Sequence, residues 1–433
     1  MNLERSRPLT LQNTHRVNRL HTLSTNRFSF KKLWQIHLPA LMYGSLLLLL
    51  LFRKKDDGDT GNTASMPSII APLLNYSLHI SIILIGIMVL KTLSSRKLKL
   101  PPYYIIAYIF SIFFYNIRVF DTNDISRSLV GVFLPPLTLL LVSGSKNRDI
   151  QPLILREALT FCFASFSIIN AILLIFGFGY HGFRFSGVTF HPNQMGLVAC
   201  LSSIYFIANT FNSPSLKARI LNIGLLLLSG ILLLASGSRG ALLAATLGAL
   251  FYLLIERKFF PIIITSVIAA LTLSILSIIS PENLSTSQSR MADGGDNRSD
   301  VWSEMFWAFI NSPIIGMGPD AVGSESSILK AMAVGGIICG IPVLIMTLKI
   351  IKKSFKYFFN TYKNKSNSVY YSLLTCILIA SLLDAYLFEK FGFTSLLLLL
   401  ILCIIVDPPK PKKAFPKKPN PTSVDTPPLH NSY

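Results

Sequence analysis

Arg184 and Arg239, each set among glycines and small polar residues, are the first candidates for chemistry in this chain. Arg184 stands in GFRFSGVTFHPNQMG, with His191 and Asn193 flanking a proline, and Arg239 stands in Ser236-Gly237-Ser238-Arg239-Gly240. A third polar stretch, RMADGGDNRSDVWSEMFWAFINSPIIGMGPD, carries Arg290 and Arg298, and Glu325 follows it. A guanidinium is always charged and presents a planar fork of donors that matches phosphate. Two or three of them near one surface could clamp a diphosphate. Small residues around Arg239 let the backbone approach a ligand, and a helix starting there adds favourable partial positive charge.

The elements that must position these groups are apolar helices. The chain has 433 residues, 51% hydrophobic and only 14% charged. A soluble domain carries about 25% charged residues. Runs such as Ser45–Phe52, Leu225–Leu234 and Ser395–Val406 are nearly uninterrupted Leu and Ile. About 20 apolar residues cross a bilayer as a helix, and a spanning segment must satisfy its backbone internally. The runs do not alternate as barrel strands do. The expected fold class is therefore all-α, a polytopic transmembrane helical bundle of about 12 spans. These fall near 37–52, 68–90, 102–120, 128–144, 153–178, 194–211, 219–235, 240–256, 259–280, 328–350, 369–389 and 391–406.

The net charge of +20 follows the same design. Lys and Arg sit in short loops and tails rather than in a soluble basic domain, so nucleic acid is not an expected partner. With the N-terminus in the cytoplasm and strict alternation, the inner segments hold most of the 40 Lys and Arg, as the positive-inside rule requires. Every inner loop carries at least two. Both termini are then cytoplasmic. Residues 1–36 form a basic segment and 407–433 a Pro/Lys-rich tail, both expected to be disordered, around a helical domain over 37–406. No cleavable signal peptide is apparent, and the first apolar run is expected to remain as an anchor. The one long outer loop covers 281–327, and its Trp302, Phe306 and Phe309 recur at helical spacing. A helix there would lie on the membrane or roof a cavity.

Plainer roles exist for each motif. Interfacial arginines snorkel to headgroups, His191-Pro192-Asn193 can be a helix-starting turn capped by Asn193, and Arg290 and Arg298 can pair with Asp293, Asp296 and Asp300. Glu325 can be one more surface carboxylate. The five cysteines lie in apolar segments without a CxxC pair, which gives no sign of a metal site or a disulfide framework.

On this topology all three motifs share the outer side. Their order resembles the O-antigen ligase and polysaccharide polymerase superfamily of membrane glycosyltransferases. The matching pieces are RFSGVTFHPNQMG, SGSRGALLA, NRSDVWSEMFWAFINSPIIGMGPD and SSILKAMAVGGIICGI, over roughly residues 150–350. The resemblance implies a bacterial inner-membrane enzyme of surface-polysaccharide assembly, in lipopolysaccharide or exopolysaccharide biosynthesis. Its donor would be an undecaprenyl-pyrophosphate-linked glycan and its acceptor a sugar hydroxyl, with no metal, nucleotide sugar or other cofactor.

It further implies that Arg184, Arg239 and Arg298 hold the pyrophosphate; His191, Asn193, Ser238 and Trp302 are expected to support the site. Where ligases of this family carry His-Asn, with the histidine as proposed base, this chain has Glu325-Ser326. Glu325 is the expected catalytic base, since a carboxylate can accept the hydroxyl proton. The departure favours a polymerase or another ligase over a lipid A-core ligase. His181 and His191 are substitute bases on the correct side. The rival function class is a transporter of a small anion or glycan precursor, which would use ionisable groups within the spans such as His79, Asp384 and Glu389.

Overall fold

A computed structural model describes residues 30–52, 66–94, 100–120, 122, 125–143, 151–181, 184–189, 191–257, 298–318, 326–360, 367–388 and 392–406. Apart from turns, the described residues form helices and one hairpin of two-residue strands, which pairs Tyr180–His181 with Arg184–Phe185. In chain order the helices are α1 (Phe30–Leu49), α2 (Ala71–Ser94), α3 (Tyr103–Arg118), α4 (Ile125–Ser143), α5 (Gln151–Ile175) and α6 (Pro192–Asn212). They continue as α7 (Leu216–Ala235), α8 (Arg239–Glu256), α9 (Arg298–Asn311), α10 (Ser327–Asn360), α11 (Ser368–Leu383) and α12 (Phe393–Val406).

Among the described residues six helices, α2, α5, α6, α7, α8 and α10, contain stretches long and apolar enough to cross a membrane. The apolar parts of α1, α4, α11 and α12 are shorter. The expected span at 259–280 lies outside the described residues, as do Arg290 and Glu325. α1 begins at Phe30, inside the segment expected to be disordered, and α10 runs on to Asn360, past its predicted end at 350.

The bundle is built around α6 and α12. Leu396, Leu397, Leu398 and Leu399 of α12 are completely buried, as is nearly every residue of α6 from Met195 to Ala208. A helix that is apolar all round belongs in an interior. α2 marks the periphery, with Tyr76, Ile80, Ile83, Ile87 and Leu90 forming one exposed stripe at helical spacing. A stripe of that size is a lipid-facing surface in a membrane protein. α6 packs on α7 and α8, α8 on α11, α1 on α5, and α3 on α10. Inside the bundle, hydroxyls return their protons to the carbonyl one turn back, as Ser202 does to Val198 and Thr210 to Phe206.

Two interruptions break the regular pattern. Gly336 inside α10 has φ +57°, so α10 is two helices joined across a kink. The turn after α9 fills the break: Ile337 N donates to Pro313 O at 2.8 Å, and Met317 N donates to Ala333 O at 2.8 Å. α11 stops at Leu383 rather than continuing to 389, because Asp384 turns extended. The buried segment after it is satisfied from outside. Ser327 Oγ accepts from Leu387 N, and Tyr108 OH donates to Leu387 O. Buried backbone outside regular structure requires such partners.

Candidate functional site

The polar insert around Arg184 is a folded unit. Asn170, buried on α5, accepts from Val188 N at 2.9 Å, and a Cβ on Gly187 would collide with that amide. Gly187 also has a left-handed φ, which favours glycine. Ser186 N and Gly187 N donate to Gly179 O, and Phe185 is buried against Tyr180. The hairpin thereby delivers Arg184 to the start of α6.

α6 starts by a different device from the expected one. The capping side chain is His191, whose Nδ1 accepts from Asn193 N at 3.1 Å, with Pro192 in the first turn. Asn193 is therefore released from the capping role the sequence suggested. Its Oδ1 accepts from Arg184 Nη2, and its Nδ2 donates to Asp384 Oδ1 at 3.2 Å. The amide places its acceptor on the cation and its donor on the anion, which fixes its orientation.

Arg184 makes a second bond, from Nε to Ser236 O at 2.8 Å. That carbonyl belongs to the Ser-Gly-Ser-Arg-Gly turn. Ser236 closes α7, Gly237 takes a left-handed φ of +60°, and Ser238 caps α8 by accepting from Ala241 N. The glycine after a helix and the serine before the next are the usual terminal residues. Gly196 permits the close approach of α6 to this turn, since a Cβ there would lie 2.7 Å from Ser236 Oγ and 2.8 Å from Ser238 Cβ.

Asp384 sits at the meeting point. It is buried, its backbone carbonyl accepts from Ser327 Oγ at the start of α10, and its Oδ2 lies 3.6 Å from where a Cβ on Gly240 would stand. Thus the N-terminal turns of α6, α8 and α10 converge on one place, contributing Asn193, Gly240 and Ser327. Each helix start carries partial positive charge, strongest within its first turn. That field favours an anion, and the buried Asp384 carboxylate stands there.

The structure brings together Arg184, Asn193, Ser238 and, through the shared turn, Arg239, the exposed first residue of α8. His191 caps from the edge. Arg298 opens α9, its side chain outside the described residues, as is that of His181. Trp302 lies on an exposed face of α9, not in this cluster. The face of α9 that packs on α10 consists of Val301, Met305 and Ala308 against Leu329 and Ala333, one residue ahead of the predicted aromatic face. Alanines at 308 and 333 allow a close contact that large rings would prevent. Among the described residues no group of three or more His, Cys, Asp or Glu is placed to hold a metal.

Two members were missed as site residues. Asp384 was considered only as a carrier group, although an ionisable residue in an apolar segment is a functional candidate by default. Arg118, at the end of α3, donates from Nη2 to Gly316 O at 3.0 Å and holds the turn that plugs the α10 break. Its only sequence signal was a cation on the predicted outer side.

The fold is that of a helical membrane protein with a polar cluster of Arg184, Asn193 and Asp384 at the starts of α6, α8 and α10. Residues 224–337 match the family model described as O-antigen ligase. This supports the resemblance to the O-antigen ligase and polysaccharide polymerase superfamily, and with it a glycosyl-transfer enzyme of a bacterial inner membrane. The match covers less than half of the chain. It includes Arg239, Arg298, Glu325 and the α10 break, but not Arg184, Asn193 or Asp384. No curated protein matches the chain.

Proposed function

We propose that this protein transfers a glycan from a polyprenyl-pyrophosphate donor to a sugar hydroxyl at the outer face of the membrane. The observation that carries the reading is the convergence of the Arg184 hairpin, the Arg239 turn and three helix starts on Asp384. The motifs named from sequence are far apart in the chain, and a shared anion site gives them a common purpose. The family match over 224–337 supports the same reaction class.

In this scheme the donor pyrophosphate lies against Arg239 and Arg184, and the prenyl chain stays in the bilayer. The acceptor hydroxyl oxygen attacks the anomeric carbon from the face opposite the pyrophosphate. The bond from that carbon to the phosphate oxygen breaks, and its electron pair leaves with the lipid pyrophosphate. Glu325 takes the hydroxyl proton, and Arg298 assists the clamp. The arginines neutralise charge as it builds on the leaving group, the kind of stabilisation that matters most in acyl and phosphoryl sites. Asp384 and Asn193 are positioning residues that hold Arg184. The product has inverted configuration at the anomeric carbon.

The carrier reading places its groups near the midplane. Asp384, one of its candidates, is instead level with the starts of α6, α8 and α10, which supports chemistry at the rim. The test is the gel profile of surface polysaccharide from a deletion strain, paired with transfer by the purified protein in vesicles. Single repeats without long chains indicate a polymerase, and accumulated lipid-linked polymer indicates a ligase. A normal profile, or anion uptake into vesicles without transfer, overturns the proposal.

A further inference from the structure

We infer that α9 rests in the lipid at the boundary of acyl chains and headgroups, on the side of the membrane that bears the Arg184–Asp384 cluster. The helix has three sectors, not the two of an ordinary surface helix. Val301, Met305 and Ala308, at i, i+4 and i+7, pack on the first half of α10. Asp300, Glu304 and Asn311 form an exposed polar sector. Between them Trp302, Phe306 and Ile310, at i, i+4 and i+8, are 38%, 52% and 44% exposed. The apolar arc is thus wider than the protein surface that covers it.

What covers the remainder is indicated by continuity. The patch runs from α9 through Ile314 and Ile315 of the following turn, both exposed. That turn is bonded directly to the α10 break through Pro313 O and Ile337 N. Ile337 and Ile341, 44% and 45% exposed, then carry the same surface down a membrane-spanning helix. Since α10 is long and apolar enough to span, its exposed Ile337 and Ile341 meet lipid in this reading, and the adjoining patch above them does too. A lipid-covered patch is favoured over one covered by a water-soluble partner because Pro313 O binds Ile337 N, which seats Ile314 and Ile315 beside the exposed Ile337 and Ile341. Tryptophan and phenylalanine suit this depth, with apolar rings below and, for tryptophan, an N–H that reaches the wet layer. An interfacial helix lies about 5–10 Å into the boundary, which leaves Asp300, Glu304 and Asn311 toward water.

The experiment uses the full chain in vesicles containing phospholipid brominated either near the glycerol end or near the tail end of the acyl chain. The sequence has three tryptophans, so Trp34→Phe leaves Trp302 and Trp307 as reporters. The expected result is blue-shifted emission, with greater loss of intensity from the glycerol-end bromine than from the tail-end bromine and little loss to aqueous acrylamide. Trp302→Phe in the same background should remove most of the lipid-quenched signal, because Trp307 borders the polar sector. Quenching by acrylamide without quenching by bromolipid would overturn the inference and make α9 a water-facing lid. Quenching by neither would overturn it in favour of a second copy or another protein on this face. Emission from the unmutated chain checks that Trp34→Phe has not altered the fold. No glycosyl transfer is measured, so the outcome is independent of the proposed reaction.

Discussion

Asn193 Nδ2 donates to Asp384 Oδ1 across 3.2 Å, joining residues 191 positions apart in sequence. The same amide accepts from Arg184. A cation and a carboxylate are therefore linked through a neutral bridge at the meeting point of three helix starts. The bridge orients the guanidinium and the carboxylate relative to each other.

This bridge predicts strong coupling. Asn193→Ala leaves Arg184 and Asp384 each short of a partner, and Asp384→Ala does the same to Asn193. Each change should destabilise the protein by about 1–3 kcal/mol, the usual range for a buried polar group left unsatisfied. The double variant should fall short of the sum by about 0.5–3 kcal/mol. Thermal unfolding of the detergent-purified protein checks it, and additive losses would mean that the two side chains do not interact.

Arg184 and Arg239 should separate stability from turnover. Arg239 is an exposed first residue of α8, so Arg239→Ala should cost less stability than Arg184→Ala. Removing a group that stabilises developing charge commonly lowers kcat by about 10²–10³-fold, and that loss is expected here. Arg184→Ala should lose turnover and also about 1–3 kcal/mol, because Ser236 O and Asn193 Oδ1 lose a donor. Lipid-linked glycan conversion measured beside unfolding distinguishes them. Full turnover by Arg239→Ala would remove the clamp from the proposed mechanism.

The local chemistry of the site was legible wherever short-range rules applied. The Ser-Gly-Ser-Arg-Gly stretch reads as a helix start, and α8 begins there at Arg239, with Gly237 left-handed and Ser238 as the cap. The long-range partners were not legible. Asn193 is as suitable for a cap as for a bridge, and only the fold shows His191 taking the cap. Asp384 lies in an apolar segment whose hydropathy continues past it, so the helix end at Leu383 carries no composition signal. The face of α9 that packs on α10 was not legible, because periodicity counts apolar residues without regard to size. Packing against Ala333 selected Met305 and Ala308 over the neighbouring rings.

Gly336 should be the least replaceable glycine in α10. Its φ of +57° is unfavourable for a side chain, and a Cβ would lie 2.3 Å from Ile314 O. Gly336→Ala should cost at least about 1–3 kcal/mol, the usual scale of local backbone strain, and it would push the turn out of the break. Gly224 on α7 is the control, since a Cβ there meets nothing within 4 Å. Gly224→Ala should be neutral or stabilising by about 0.5–1 kcal/mol, as alanine is favoured in a helix interior. Equal unfolding midpoints for the two variants would argue against the clamped break.

Arg118 should act on the site only through the loop it holds. Its Nη2 donates to Gly316 O at 3.0 Å, and a Cβ on Gly318 would stand 2.9 Å from the same nitrogen, so the turn is fitted around the guanidinium. Lysine keeps the charge at the end of α3 but lacks the planar fork. Arg118→Lys and Arg118→Ala should therefore both loosen the turn, with alanine the more severe by the loss of charge at a helix C-terminus, about 0.3–1 kcal/mol. Because α10 begins beside Asp384, loosening should lower kcat more than it raises KM for the lipid-linked donor. Salt provides the contrast. Raising ionic strength screens exposed charges beyond about 10 Å at 0.1 M, so it should weaken donor capture by Arg239 in the unmodified protein while leaving the ratio of Arg118→Lys to unmodified kcat unchanged. A ratio that converges on unity at high salt would make Arg118 a donor-binding cation instead of the residue that fastens the turn.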